Sequence, residues 1–559
     1  MKYIFRIIIL ITALNFPLTH SFSQVVYQHV DYASIYEFLD EMANIKIIEL
    51  NSAIKPYSRI YIAAHLETIN SRIDRLNKRQ AKELAFFMKE YAREMDDSLQ
   101  IDYIGKKYVG KNRQPFNERT RRPNLFYYRD STFMLAFNPV LGGQFWNNDS
   151  GTVYHRWNGA EMLFYAGNHL GVYGNLRDNY LSKAVTGPEI LTRQTGGSFK
   201  NPTYGYSNRD AVEYSEMRGG ITVNGNWWNL GIVKDHVVWG NNYNGANIIS
   251  NRAPSFAQVR LNIKPVHWFE LNYFHGWLSS KVADSSATQN YGTGTTTVFV
   301  PKYMAANFIT VKPVRNLFFS VGNSIVYSRT INAGYLIPFM FYKSLDHTYS
   351  TLGNSQLFFD LSVRNLKHCH FYASGFFDEL SFGRMFEKNS LNPWSLKGGV
   401  RISNILKNFS VTAEYTRNNV LAYKHYNPET TFETTRYNMG HHLRDNAQDL
   451  FFMVSCRPIA KLGIDVIYNY SNKGPDYPDN RNEVDPVTGE DLILTYPFQE
   501  KIIWEKTVFA LQGQYELVND FVFRLRLEMS DVRDDMNLYT PSRFQGEQFT
   551  TSATLTFGF

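Results

Sequence analysis

Apolar positions along this chain follow two rhythms, and the change between them divides it in two. From about residue 30 to 100 they recur every three or four residues, as on one face of a helix. Ile35, Phe38, Leu39 and Met42 form a first stripe, opened by Ser34-Ile35-Tyr36-Glu37, which fits a capping box. Ile62, Leu66, Ile69, Ile73 and Leu76 form a second, opened by Pro56 and Ser58. Ala81, Leu84, Ala85, Met88, Ala92 and Met95 form a third, after the cap-like Asn77-Lys78-Arg79-Gln80. Three short helices are predicted. Such a bundle is too small to be very stable alone, so it is expected to dock on the rest of the chain.

From about residue 124 the period is two. In Phe521 to Met529 every odd position is apolar, while Arg524, Arg526 and Glu528 face the other way. The last segment alternates Phe549, Ala553, Leu555, Phe557 and Phe559 with Thr550, Ser552, Thr554, Thr556 and Gly558. Ending on an aromatic resembles the signal by which outer-membrane barrels are recognised for insertion. Short turn segments recur: Lys264 to His267, Lys312 to Arg315, Arg364 to Lys367, Asn404 to Lys407, Arg457 to Ala460 and Leu517 to Asp520. Earlier turns fit Arg129-Asp130, Gly167-Asn168 and Gly225-Asn226. Nine turns, each opening a strand up and a strand down, predict an all-β transmembrane antiparallel barrel of about 18 strands.

Composition agrees with this reading. The 37 Tyr, 41 Phe and 9 Trp accompany 36 Gly, the mixture needed when one face of each strand meets hydrocarbon and the other water. No stretch offers the roughly twenty uncharged apolar residues of a spanning helix. At the start, Lys2, Arg6, the apolar run Ile7 to Phe16 and Ser21-Phe22-Ser23 read as an export signal over 1–23, with Gln24 as the mature N-terminus. No cysteine follows, so a bacterial lipoprotein anchor is not expected. The expected organisation is signal 1–23, helical periplasmic domain 24–105, basic linker 106–123 and barrel 124–559, in the bacterial outer membrane.

The linker carries Lys106, Lys107, Lys111, Arg113, Arg119, Arg121 and Arg122 against the single acid Glu118, and so holds most of the net charge of +7. It reads as a solvated segment or one paired with the barrel mouth, with contact to anionic lipid or a polyanion as the other reading. Two cysteines, Cys369 and Cys456, leave room for one bridge and no disulfide scaffold.

The segment from Asp235 to Pro265 is more specific. It contains Trp239-Gly240, then Asn241, Asn242, Tyr243, Asn244 and Gly245, then Ile249-Ser250-Asn251-Arg252-Ala253-Pro254-Ser255-Phe256. Together with Tyr36 to Asp40, Lys55 to Arg59, Lys302 to Ala306, Tyr335 to Pro338, Asn354 to Leu357 and Phe377 to Leu380, in that order, this resembles the capsule-assembly Wzi family of outer-membrane proteins. The resemblance implies a large barrel plugged from the periplasmic side by the helices, with a role in holding or assembling surface polysaccharide. No catalytic motif of the family carries over. Where the family often has His-Arg after the Ala-Ala pair, this chain has Asn307-Phe308.

Trp239 to Ser255 falls between an ascending and a descending strand, so on the extracellular side. Trp239, Tyr243, Asn241, Asn242, Asn251 and Arg252 are the polysaccharide-binding candidates, because aromatic faces meet sugar C–H faces and amides pair with hydroxyls. The other reading is that this loop folds into the lumen and fixes the barrel, with Gly240 and Gly245 for turns.

Other chemistry is set aside. His368-Cys369-His370 has no third or fourth ligand nearby, and His441-His442 would point to opposite faces of a strand. The acidic loop from Asp476 to Asp491 matches no calcium motif. There is no phosphate loop, nucleophile elbow or nucleic-acid motif. No enzyme activity, metal or cofactor is expected. The expected partners are surface polysaccharide, outer-membrane lipid, the barrel-insertion machinery and an outer-membrane or periplasmic protein. A porin and a structural subunit of a surface complex are the alternatives.

Overall fold

The computed structural model of this protein describes residues 25–95, 124–130, 132–192, 211–290, 294–349, 352–378, 393–479 and 496–559, with Gly292 and the backbone of Ser198–Lys200. The expected export signal, the basic linker, residues 96–105 and the acidic positions 480–491 lie outside the described residues.

The helical region contains α1 (Ala33–Asn44), α2 (Arg59–Asn70), α3 (Lys78–Glu90) and the single turn α4 (Ala92–Met95). Ser58 caps α2 by accepting from the Tyr61 amide. Asn77 and Gln80 form a complete reciprocal box at the start of α3. The box expected at Ser34 does not form. The first helix starts two residues earlier than that box implies, at Ala33 with Tyr32 at the cap position, and the Ser34 hydroxyl instead accepts from Gln514 Nε2 of the barrel wall at 3.1 Å. Ile35, Phe38, Leu39 and Met42 pack on Ile62, Leu66, Ile69, Leu84 and Phe87. Each such side chain, fully buried, contributes on the order of 1.5–3 kcal/mol.

Eighteen antiparallel strands form the wall. In chain order they begin with β1 (Phe133–Asn148), β2 (Gly151–Ala166), β3 (Leu170–Leu181), β4 (Val212–Asn224), β5 (Trp228–Asp235) and β6 (Phe256–Val266). They continue with β7 (Phe269–Ala283), β8 (Phe299–Val314), β9 (Leu317–Ser328), β10 (Asn354–Val363), β11 (Cys369–Asp378) and β12 (Trp394–Ser403). The last six are β13 (Phe409–Asn418), β14 (Ala447–Ile459), β15 (Leu462–Lys473), β16 (Trp504–Val518), β17 (Phe521–Asp534) and β18 (Gly546–Phe557). The ring closes where β18 pairs with β1, from Thr551↔Asn147 to Phe557↔Leu141. Below that point β1 pairs with the short strand Phe126–Arg129.

The nine expected tight turns all lie at one end of the barrel, the end the helices fill. Asn316, Asn404, Asn408 and Asp520 there adopt positive φ, which Asn and Asp tolerate better than other side-chain-bearing residues. The longer connections lie at the opposite end. Along the strands, Phe137, Leu141 and Phe145 on β1, Leu230 and Ile232 on β5, and Phe523, Leu525 and Met529 on β17 are exposed on the outer face. An apolar belt of this kind around a closed wall fits hydrocarbon rather than water. Cys369 and Cys456 are free thiols, with β12 and β13 between their strands.

Candidate functional site

The connection between β5 and β6, residues 236–255, does not stand out from the rim. It leaves the wall at Asp235, crosses the lumen and returns at Phe256, the register partner of Asp235. Val238 and Trp239 pair antiparallel with Lys55 and Ile54 of the helical region. Gly240 has φ +97° and donates its amide to Ala53 O at 2.8 Å; a Cβ there would come within 3.3 Å of Ile248. Gly245, at φ +93°, supplies the second left-handed turn. Of the two expectations for this loop, the geometry is that of an internal strap.

Each expected binding residue has a definite place in it. The Trp239 ring is buried, stacks on Phe308 with centroids 5.2 Å apart and meets Phe274 edge-on. Asn241 is buried; its amide N–H donates to Asp360 Oδ2 at 2.8 Å, and its side chain to Asp360 Oδ1 at 2.5 Å. Arg252 is buried, donates to Gly187 O at 2.8 Å and lies over the Tyr437 ring. In this arrangement these three offer no free face to a sugar. Asn242, Tyr243 and Asn251 keep partial exposure. The Tyr243 amide donates to Glu414 Oε2 at 2.8 Å, its hydroxyl donates to Asp40, and its ring underlies the Arg401 guanidinium.

Behind the strap lies a charged hub that the sequence did not announce. Arg364, 1% exposed, donates to Asp40 Oδ1 at 2.5 Å, Asn44 Oδ1 at 2.8 Å, Leu50 O at 3.1 Å and Ser52 Oγ at 2.8 Å. Burial alone would raise the Asp40 carboxyl, but Arg364, with His370 and Arg401, holds it well below the usual carboxylate range. Lys397 and Glu414 form a second buried pair, and Tyr372 donates to Glu414 at 2.7 Å. In the sequence Arg364 opens one of the expected tight turns. Its only sequence signal was an arginine directly following an inward-facing alternation.

The helices are fastened to the wall around its circumference. Tyr27 donates to Asn229 on β5 at 2.9 Å, Lys312 on β8 to Glu49 at 2.7 Å, and Asn44 to Ser403 on β12 at 3.0 Å. Arg457 on β14 binds Glu37, and Tyr32 donates to Glu516 on β16 at 2.5 Å. Asn519 after β16 donates to Phe86 O at 3.2 Å, and Tyr165 on β2 to Glu94 at 2.9 Å. Beyond the strap, inward-facing Gln144, Trp146, His155, Arg177, Gln512, Arg524 and Arg526 keep partial exposure, so this side of the lumen is polar and accessible.

His441, His442 and Asp449 bring ligand atoms within 4.8 Å of one another, all buried. The two histidines lie outside any strand with rings 4.2 Å apart, so the opposite facing that a strand would impose does not apply. The Asn418 amide and the Leu443 N–H approach His441 Nδ1, which places its proton on Nε2, facing Asp449. Asp449 is itself bonded by Asn244, Asn469 and Ser471. This hydrogen-bonding pattern does not suit a metal-ready ligand set. His368 and His370 separate, the first toward Ser403 O and the second toward Ser362 and Arg364.

No protein-family model matches the chain, and no curated protein sequence does. Among solved structures, its fold is similar to that of Wzi of Escherichia coli, described as an outer membrane protein involved in group 1 capsule assembly and a carbohydrate-binding β-barrel. The likeness covers 96% of this chain and 100% of that one, with a TM-score of 0.54 and 11% identity. Looser overlaps exist with OccD3 of Pseudomonas aeruginosa (TM-score 0.42, 10% identity, 75% of this chain and 91% of that one). The outer membrane protein OprD of the same organism overlaps over 76% of this chain and 92% of its own, with a TM-score of 0.39 and 10% identity.

Proposed function

We propose that this chain is an outer-membrane barrel, with its helices on the periplasmic side, that holds surface polysaccharide without cleaving it and without passing solutes. The observation that carries this reading is the all-round attachment of the helical plug to the wall. A transport channel needs a continuous water column, whereas here the bore is occupied at one end and crossed by a strap. What remains is a polar, accessible lumen on the side of β15 to β18 and β1 to β4. There hydroxyl-rich chains find amides, guanidinium groups and aromatic edges.

Within the strap, Asn242, Tyr243 and Asn251 are the residues able to meet such a chain. Trp239, Asn241 and Arg252 act by fixing the strap's path. The fold likeness to a barrel described as carbohydrate-binding supports the same choice. Outer-membrane lipid and the insertion machinery are the partners this placement implies, and a further envelope protein would meet the exposed rim.

The test is retention of polysaccharide by the cell. Deleting the gene should shift surface polysaccharide from the cell-bound fraction to the medium, and restoring the full chain should return it. Unchanged cell-bound polysaccharide in the deletion strain would reject the proposal.

A further inference from the structure

The connection between β9 and β10 does not stay above the rim over its described residues 329–349. It contains a short turn, Ala333–Leu336, and the helix α5 (Tyr342–Tyr349). Side-chain alternation sets which face of the wall it covers. On β9, Phe319 and Val321 are exposed to the outside, so Asn323, Ile325 and Tyr327 point the same way. Cross-strand register extends that outer face to Tyr303, Ala305 and Asn307 on β8 and to Tyr273 and His275 on β7. Yet Tyr273, Ala305, Asn307, Ile325 and Tyr327 are buried. They are covered by Tyr335 and Tyr342 of this connection, which pack on them from outside the barrel.

Polar bonds fix the fold-back. Asn307 and Asn323, register partners, both donate side-chain N–H to Met340 O, at 2.9 and 3.2 Å. Asn323 Oδ1 accepts from the Tyr342 amide at 2.9 Å, and Tyr273 donates its hydroxyl to Tyr335 O at 3.0 Å. Asn307 lies at the middle of its 16-residue strand. From Ser328 down to Asn323 is roughly 16 Å along the strand. The connection therefore descends to mid-height on the outer wall. There it takes up the bonding capacity that these two asparagines keep beyond their mutual bond, Asn323 Nδ2 to Asn307 Oδ1 at 2.9 Å, and covers both from hydrocarbon.

Its outer surface is apolar around Met340 and polar along α5, where Ser344, His347 and Thr348 are exposed. Phe339 is 70% and Phe341 50% exposed, and they flank the anchored Met340. Leu336 and Leu352 are exposed beside them. Several backbone groups here are paired, the Met340 amide with Ile337 O at 3.4 Å and the Phe341 carbonyl with the Ser344 amide at 3.2 Å, which lowers the cost of placing them in a bilayer.

We infer that residues 335–342 form the membrane-embedded part of a flap, and that its Phe339 and Phe341 face the acyl chains of the leaflet on the loop side. The occupant follows from continuity. The flap's apolar surface adjoins the belt carrying Phe319, Val321 and Trp277, and the polar groups beneath it are sealed from that same medium. The inference rests on the membrane reading of the barrel and not on the polysaccharide reading.

The experiment uses full-length protein with Cys369→Ala and Cys456→Ala, reconstituted in liposomes and nitroxide-labelled at Phe339→Cys. Accessibility to oxygen and to a water-soluble nickel chelate is measured. Phe341→Cys serves if the first variant folds poorly, and Val321→Cys is the belt control. Oxygen access should exceed chelate access several-fold at 339, as at 321. Chelate access dominating at 339 while 321 reads as lipid would overturn the flap, as would low access to both reagents, the mark of a second copy or other protein. Chelate access dominating at 321 as well would overturn the membrane reading and the flap with it.

Discussion

Two buried charges show how much of this fold hangs on single residues. Arg364 connects the wall to Asp40, Asn44 and the Leu50 to Ser52 segment at once. Arg364→Met should leave Asp40 buried without its main counter-charge, costing about 3–5 kcal/mol. The expected readout is faster proteolysis of the plug in detergent, with the barrel itself intact. Glu83 behaves differently. Arg79 lies between Glu41 and Glu83, and Glu41 also accepts from Gln80 and Asn404. Burial, with Glu41 nearby, pushes the Glu83 carboxyl up to about 8 despite Arg79. The folded state then keeps a proton that the unfolded chain releases above its ordinary value near 4.5. Plug stability should therefore fall as pH rises from about 4.5 to 8, by at most about 1.4 kcal/mol per unit. Pulse proteolysis across that range should show the slope, and Glu83→Gln should flatten it.

At the level of elements, what was legible depended on whether local pattern alone decided the outcome. Period-two alternation and the nine turns led to 18 strands because a strand's inward and outward faces are written in consecutive residues. Helix caps at Ser58 and Asn77 were readable for the same reason. Ser34 was not, because a barrel glutamine some 480 positions away engages its hydroxyl. The strap was recognisable as a special segment, but its direction was not. Trp239 and the Asn run suit a sugar or a lumen equally until Phe308, Phe274 and Asp360 are known to face them. Arg364 and Asp40 stayed hidden because their pairing spans 324 positions. Within the strap, Asn241→Leu should strand the Asp360 carboxylate and cost about 1–3 kcal/mol. Hydrogen exchange should then rise in the Trp239 and Gly240 amides, while amides of the β16–β17 hairpin stay protected.

Over the whole molecule, three connections divide the work. The N-terminal helices occupy the tight-turn end, the 236–255 strap braces the bore, and residues 335–342 lie along the outer wall. On the proposed reading such a barrel is blocked to solutes and meets its ligand at the polar inner side and the long-loop rim. Blockage separates a holding protein from a porin more sharply than any sequence motif here. Single-channel recording in planar bilayers therefore tests the account most directly. The full chain should insert without measurable steps, and a chain lacking residues 25–95 should open to large, steady ones. Stable, open-channel conductance from the intact chain would contradict the account.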